Sequence, residues 1–295
     1  MKKHPFLMAS LTLGAIFIFF LVVIFVIAAM TGHQTTFPMG DKVGVIKVQG
    51  PILTSDQIID EIVNFRKDES IKAIVLRVDS PGGGVGPSQE IYEEVHKAVA
   101  VKPVVVSMGS VAASGGYYIS APASQILANP GTITGSIGVI MEFTNFEELL
   151  QKIGLKSQVV KSGEHKDIGS PVRPMTAEDK KILQGLIDDV HQQFISAVAE
   201  GRKLPEEKVR ELADGRIYTG RQAKELGLVD KLGNLQDAVK TAGELAGIKE
   251  EPNVVYPPED KPKFLDYLVE ETASRIKGVF VKESAGFQYL WTGNQ

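Results

Sequence analysis

From residue 43 onward, apolar positions come in short runs separated by stretches of helical spacing. Val43–Val48 is a β-branched run, Ser55–Arg66 puts Ile58, Ile62 and Phe65 on one helical face, and Ile71–Val78 returns to valine and isoleucine. A helix follows over about Ser88–Val99, where Ile91, Val95, Ala98 and Val99 recur, and then a strand at Val104–Ser107. Such alternation predicts βαβ units around a parallel sheet. Asn145-Phe146-Glu147-Glu148 and Thr176-Ala177-Glu178-Asp179 each set an oxygen-bearing cap ahead of an acid, the signature of a helix start. The second opens the longest predicted helix, whose Leu183, Leu186, Ile187, Val190, Phe194 and Val198 form one stripe for a core or a subunit interface. A strand is also predicted at Ser157–Val160.

The N-terminus departs from this pattern. After Met1-Lys2-Lys3-His4, residues 6–30 are almost unbroken in apolar character, interrupted by Ser10, Thr12 and Gly14. At about 1.5 Å per residue such a run spans the roughly 30 Å hydrocarbon core, and it exceeds the roughly 7 to 15 residues of a signal-peptide core. Ala28-Ala29 is a poor cleavage site, so the run is expected to remain as an anchor. The lysines before it keep residues 1–5 in the cytoplasm and send the rest across the membrane. Residues 31–41, with Gly32, Pro38 and Gly40, are expected to form a linker.

With 295 residues, 43% of them hydrophobic, the chain can bury a sizeable core. A net charge of -4 without a dense basic cluster argues against nucleic acid as a partner. Cysteine is absent, which removes disulfides, thiolate metal sites and cysteine nucleophiles together.

The candidate chemistry lies in glycine-rich turns. Ser107-Met108-Gly109-Ser110-Val111-Ala112-Ala113-Ser114-Gly115-Gly116-Tyr117-Tyr118 puts a serine among tiny residues where a strand runs into a helix. Small neighbours let a substrate backbone approach, and the glycine that follows presents its N–H beside the hydroxyl. A plain helix start capped by serine fits the same residues. Asp79-Ser80-Pro81-Gly82-Gly83-Gly84 falls at the carboxyl end of a strand, where parallel sheets bind ligands, but lacks the spacing of a nucleotide loop. Thr132-Ile133-Thr134-Gly135-Ser136-Ile137-Gly138-Val139 is a third small, hydroxyl-bearing turn.

A serine nucleophile needs a base. His4 and His33 lie at the membrane or in the linker, and His96 and His191 sit in helical heptads among charged residues, expected on solvated faces. His165 stands in Lys161-Ser162-Gly163-Glu164-His165-Lys166-Asp167. The residues alone therefore allow Ser114/His165 with Asp79 or Asp167 as the acid, or Ser114 with Lys166 or Lys161 as the base.

Taken together, these turns, the Lys161–Asp167 segment and Gly215-Arg216-Ile217-Tyr218-Thr219-Gly220-Arg221-Gln222-Ala223-Lys224-Glu225-Leu226-Gly227-Leu228-Val229-Asp230 resemble the signal peptide peptidase A family in its short, membrane-anchored bacterial form. In the last motif Thr219 and Gln222 form a capping box and Gly227 suits a helix stop, so it serves as scaffold. The resemblance covers about residues 42–248. It implies a ClpP/crotonase-like α/β spiral of repeated ββα units, preceded by one transmembrane helix; residues 249–295, outside the resemblance, are expected to form a C-terminal tail. It also implies a Ser/Lys dyad: Ser114 as nucleophile, Lys166 as general base, Ser136 orienting the lysine amine, and the Gly83 and Gly115 N–H groups forming the oxyanion hole.

No metal or cofactor is implied. The implied substrates are cleaved signal peptides and other apolar, unfolded peptides at the extracytoplasmic membrane face, and the implied assembly is a homo-oligomer. A lysine with a reference value of about 10.4 must be desolvated by around three units, about 4 kcal/mol, to act as a base near neutrality. The polar run around Lys166 is too hydrophilic to supply that shield alone, so neighbouring subunits or bound peptide are expected to contribute. In the tail, Phe264, Leu268, Ile276, Val279 and Phe280 recur near helical spacing, and the apolar ending Phe287, Tyr289, Leu290 and Trp291 suits packing, a membrane surface or docking at the active site. A crotonase-type acyl-thioester enzyme and a catalytically silent membrane scaffold are the rival classes.

Overall fold

The computed structural model describes residues 13–23 and 40–258, together with the backbone of Gln288–Leu290. Residues 13–23 form helix α1, and Met1–Met39 is a unit separate from Gly40–Gln295. Among the described residues no helix is long and apolar enough to cross a membrane. The remainder of the 6–30 span, most of the linker and the amphipathic stretch of the tail lie outside the described residues.

In the second unit, β1 (Lys42–Gln49), α2 (Asp56–Lys67), β2 (Ile71–Ser80), β3 (Gly82–Gly84), α3 (Val85–Val99) and β4 (Val104–Ala113) follow the predicted alternation. Then come α4 (Gly115–Tyr118), β5 (Gln125–Ala128), β6 (Ile133–Gly135), α5 (Glu147–Lys152), α6 (Ala177–Arg202) and α7 (Glu206–Leu212). The series closes with β7 (Ile217–Thr219), α8 (Gly220–Leu226), β8 (Lys231–Leu232), α9 (Leu235–Leu245), β9 (Asn253–Val255) and β10 (Gln288–Leu290). The main sheet runs β7-β6-β4-β2-β1-β9, with β5 pairing β4 and β8. Every pairing in it is parallel except β6 with β7.

The strands read as continuous apolar runs because both faces of the sheet are covered. Ile46, Val48, Ile74, Leu76, Val78, Val104, Val106 and Met108 join one core cluster, which also takes in Ile62, Phe65, Ile91, Val95 and Phe194 from the helices. The intervening Val43, Val45, Ala73, Val75 and Val105 face Ala238, Val239 and Ala242 of α9. This alternation is the period-2 geometry of a strand, and each fully buried Val, Ile or Leu contributes about 1.5–3 kcal/mol.

Several expectations change in detail. The serine strand is ten residues long and runs to Ala113, because Val111–Ala113 pair with Ile133–Gly135 beyond the predicted end. The Ser80–Gly84 turn contains a strand of its own, β3. No strand forms over 157–160, where the residues are exposed and find no neighbouring edge. At α5 the cap is displaced: Asn145 Oδ1 accepts from the Glu147 N–H at 2.7 Å, while Phe146 holds the cap position. The boxes at Thr176/Asp179 and Thr219/Gln222 form as expected, and Gly227 ends α8 at φ 83°. The predicted stripe on α6 divides: Leu183, Phe194 and Val198 are buried, whereas Leu186 is exposed. Past residue 248 the chain still contributes to the sheet, since β9 pairs with β1.

Candidate active site

Two crossover ends meet at Ser114. β4 ends at Ala113 and α4 starts at Gly115, leaving Ser114 at φ 52° and ψ -116°, a conformation that costs a non-glycine residue of order 1–3 kcal/mol. It persists because the surroundings fix it: the Ser114 N–H donates to Gly135 O at 2.8 Å, and its carbonyl accepts from Tyr118 at 2.8 Å. Tyr117, in the same short helix, is fully buried and donates its hydroxyl to Leu228 O at 2.9 Å. Burial also pushes the pKa of that phenol far above its ordinary value, so it stays protonated.

Ser136 has the same kind of backbone, at φ 50°, with its N–H donating to Arg216 O at 2.9 Å. Ser114 is 1% exposed and Ser136 8%. Both line a cavity of about 390 Å³ whose other walls include Val139, Ile140, Ile187 and His191. The sequence had set His191 on a solvated face; instead it is half-buried, and its Nε2 is buried without a hydrogen-bond partner among the described residues. Ile187, one turn earlier in α6 and in the same cavity wall, was the available signal: a histidine four residues after an apolar-stripe position shares its face.

The two glycines assigned to the oxyanion hole are in contact. A Cβ on Gly115 would lie 2.7 Å from Ser88 Oγ and 3.1 Å from the Gly83 nitrogen, so no side chain fits between them. At Gly83 a Cβ would fall 2.1 Å from Ile52 O. The Ile52 N–H donates to Gly82 O at 2.8 Å and the Gly84 N–H to Ile52 O at 2.9 Å. Gly83 therefore points its own N–H to the opposite edge of β3. There the chain lays its own segment Gln288–Leu290 antiparallel to β3, with Tyr289 across from Gly83.

Lys166 stands apart from this cavity. It is exposed and makes no side-chain hydrogen bond or ion pair with a described residue. Its neighbours are committed elsewhere. Lys161 Nζ donates to Asp167 Oδ1 at 2.7 Å and to Glu164 O at 2.7 Å, which occupies the alternative lysine base. Asp167 accepts a two-pronged contact from Arg173, Nε to Oδ2 at 3.0 Å and Nη2 to Oδ1 at 3.0 Å. The guanidinium of Arg173, then the ammonium of Lys161, hold the Asp167 carboxyl well below the usual range. Arg173 also reaches Asp179 at 2.5 Å, which holds that carboxyl down at about 2. His165 is exposed. Asp79, the other candidate acid, accepts the Val111 N–H at 3.1 Å and secures β4 where its register with β2 shifts.

A parallel α/β sheet covered on both faces, with a strained, sealed serine at a strand end beside close-packed glycine N–H groups, defines the class: a serine hydrolase built for acyl transfer. The comparisons narrow this. Residues 96–249 match the model of Peptidase family S49, and residues 42–130 match that of Clp protease. A protein of Synechocystis sp. is 48% identical over 208 residues, 70% of this chain and 75% of its own length. Protease 4 of Salmonella typhi is 38% identical over 256 residues, 83% of this chain and 41% of that protein. The chloroplastic serine protease SPPA of Arabidopsis thaliana is 34% identical over 206 residues, 70% of this chain and 30% of that protein. The chain belongs to Peptidase family S49 and is a serine peptidase of the signal peptide peptidase A type.

Proposed function

We propose that this peptidase is a membrane-anchored endopeptidase that cleaves signal-peptide remnants and other apolar, unfolded peptides through a Ser114/Lys166 dyad. The observation that carries it is the Ser114 turn: a buried hydroxyl in a strained backbone, sharing one cavity with Ser136, against the paired backbones of Gly83 and Gly115. Neutral Lys166 takes the hydroxyl proton as Ser114 attacks the peptide carbonyl. The Gly83 and Gly115 N–H groups hold the oxyanion. Lys166 returns the proton to the leaving amine, and water, deprotonated by the same lysine, releases the acyl group. Ser136 orients the lysine amine. An extended substrate adds along β3 by displacing the chain's own Gln288–Leu290 from that edge, so main-chain pairing supplies affinity without sequence demands.

The exposed position of Lys166 supports a homo-oligomer as the working form, because the polar turn around it does not shield an amine. The same arm, residues 139–175, exposes Phe143, Phe146, Leu149, Ile153 and Val160, more apolar surface than an isolated loop needs. Exposed Ile16, Phe17, Phe19 and Leu21 on α1 support an anchor within residues 6–30, with the catalytic unit extracytoplasmic.

A second reading, in which His191 is the base, is favoured by one observation: its ring lines the Ser114 cavity and its Nε2 has no described partner. One assay decides. An apolar peptide is offered to wild type, Ser114→Ala, Lys166→Ala, His165→Ala and His191→Ala. Loss in the serine and lysine variants with activity kept in His165→Ala is expected. Activity kept in Lys166→Ala and lost in His191→Ala replaces the dyad, and a wild type without turnover of the apolar peptide removes the proposed substrate class.

A further inference from the structure

Lys166 has an acid as its immediate neighbour in sequence, and a carboxylate free to fold back onto the ammonium would hold it charged. The turn is built so that Asp167 has no such freedom. Both of its oxygens are taken, by Arg173 on one side and by Arg173 and Lys161 on the other. Arg173 Nη2 also donates to the main-chain carbonyl of Asp167 at 3.1 Å, which fixes the Asp167–Ile168 peptide, one residue past Lys166. Lys161 does the same on the other side through Glu164 O. Arg173 is held in turn by Asp179, whose Oδ2 also accepts the Thr176 N–H at 3.0 Å in the capping box of α6. The turn is thus tied to the start of a 26-residue helix that runs into the core.

We propose that Arg173 is a positioning residue for Lys166: it withholds the Asp167 carboxylate from the lysine amine and anchors the turn that carries it. This rests on Lys166 being the base. The charged groups facing the Asp167–Arg173 pair are Lys161 from the incoming chain and Asp179 from α6; Glu164 and His165 lie on the same turn without pairing to it. The segment around α5 meets the turn through uncharged groups, the Phe146 N–H on Pro171 O and Asn145 Nδ2 on Arg173 O. With Arg173 neutralised, Asp167 and Asp179 outweigh Lys161, which stays on Asp167 Oδ1, and Asp167 Oδ2, held here by Arg173, is released beside the adjacent Lys166.

The test reads the lysine directly and then through catalysis. Full-length wild type, Arg173→Gln, Arg173→Lys, Asp167→Asn and the double variant Arg173→Gln/Asp167→Asn are labelled with limiting acetic anhydride across pH. Acetylation of Lys166 is read by peptide mass spectrometry, with Lys72 as an exposed internal reference. In Arg173→Gln the onset of Lys166 labelling is expected to move up by about one pH unit, a roughly tenfold lower reactivity at fixed pH. In the double variant it returns to the wild-type position.

The acid limb of kcat/KM for the apolar peptide is expected to move in parallel. Arg173→Lys is expected to keep the limb in place while lowering kcat, since it supplies charge without the fork. An unchanged onset in Arg173→Gln, or a shift that Asp167→Asn fails to reverse, overturns the proposal even if Lys166→Ala is inactive. A reversible shift together with an active Lys166→Ala instead overturns the dyad and leaves the charge arrangement standing. A loss of kcat equal at every pH, with no labelling change, assigns Arg173 a purely structural role and also overturns it.

Discussion

Ser114 and Lys166 stand in opposite surroundings. The serine lies at the end of a ten-residue central strand, sealed between two buried layers, its backbone pinned by Gly135 and its neighbours limited to glycine by sub-3 Å approaches. The lysine lies on an arm with little buried apolar surface, shaped by hydrogen-bonded turns and ion pairs around Asp167. Close packing holds a strained serine because every alternative geometry clashes. Ion pairs and turns shape the backbone that carries Lys166 and leave its side chain exposed. In the proposed dyad, the surroundings of Ser114 are built within one chain, whereas Lys166 is exposed on it.

The largest expected break in this symmetry is catalytic. Ser114→Ala should lower turnover of an apolar peptide by at least about 10³-fold while leaving circular dichroism unchanged, since it removes one hydroxyl from a site the backbone already defines. Retained turnover would place the nucleophile elsewhere. Core and arm should next separate by stability. Phe194→Ala, in the buried layer, is expected to cost about 3–5 kcal/mol in denaturant unfolding, and Leu149→Ala on the exposed arm under about 0.5 kcal/mol. A cost above 1 kcal/mol for Leu149→Ala would mean that the arm is covered in solution, and sedimentation of the same variant would show by what.

Glycines sharpen the contrast on a smaller scale. Gly83→Ala forces a Cβ into the Ile52 backbone and is expected to cost about 1–3 kcal/mol, while Gly163→Ala, with open space around it, should change the melting midpoint by less than its error. The smallest effect is a pH response confined to the arm. The Asp167 carboxyl on the arm and the Asp179 carboxyl at the start of α6 sit below their ordinary values in the folded state, so their stabilisation is fully present above about pH 4 and is lost as pH falls toward 2, where Asp179 titrates. Hydrogen exchange should therefore show protection around residues 161–173 constant from pH 5 to 8 and falling below pH 4, with β1, β2 and β4 still protected. Loss of arm protection already at pH 6 would implicate a histidine rather than these acids.

Much of the sheet half was readable from the chain. Strands covered on both faces leave uninterrupted Val and Ile runs, and the boxes at Thr176 and Thr219 are local chemistry that needs no tertiary context. The glycine-rich turns were recognisable because only glycine tolerates the approaches that β3 and α4 make to one another. Three features were not readable. The strand over 157–160 was expected from composition and does not form, since a strand requires an edge to pair with. His191 looked solvated among charged neighbours, yet the rotation of α6 against the Ser114 cavity was set by packing elsewhere along the helix. The commitment of Lys161 and Arg173 to one carboxylate depends on a fold of the chain back on itself that no spacing rule encodes.

By itself the sequence determined the alternating α/β architecture, the serine turn and the positions where side chains are forbidden, because these follow from hydrophobic period, local hydrogen bonding and the absence of a Cβ. Only the tertiary structure decided which groups share the cavity with Ser114 and which cations are spent on Asp167. Those outcomes depend on distances between residues far apart in the chain, fixed when the sheet and α6 pack, and no local pattern carries that information.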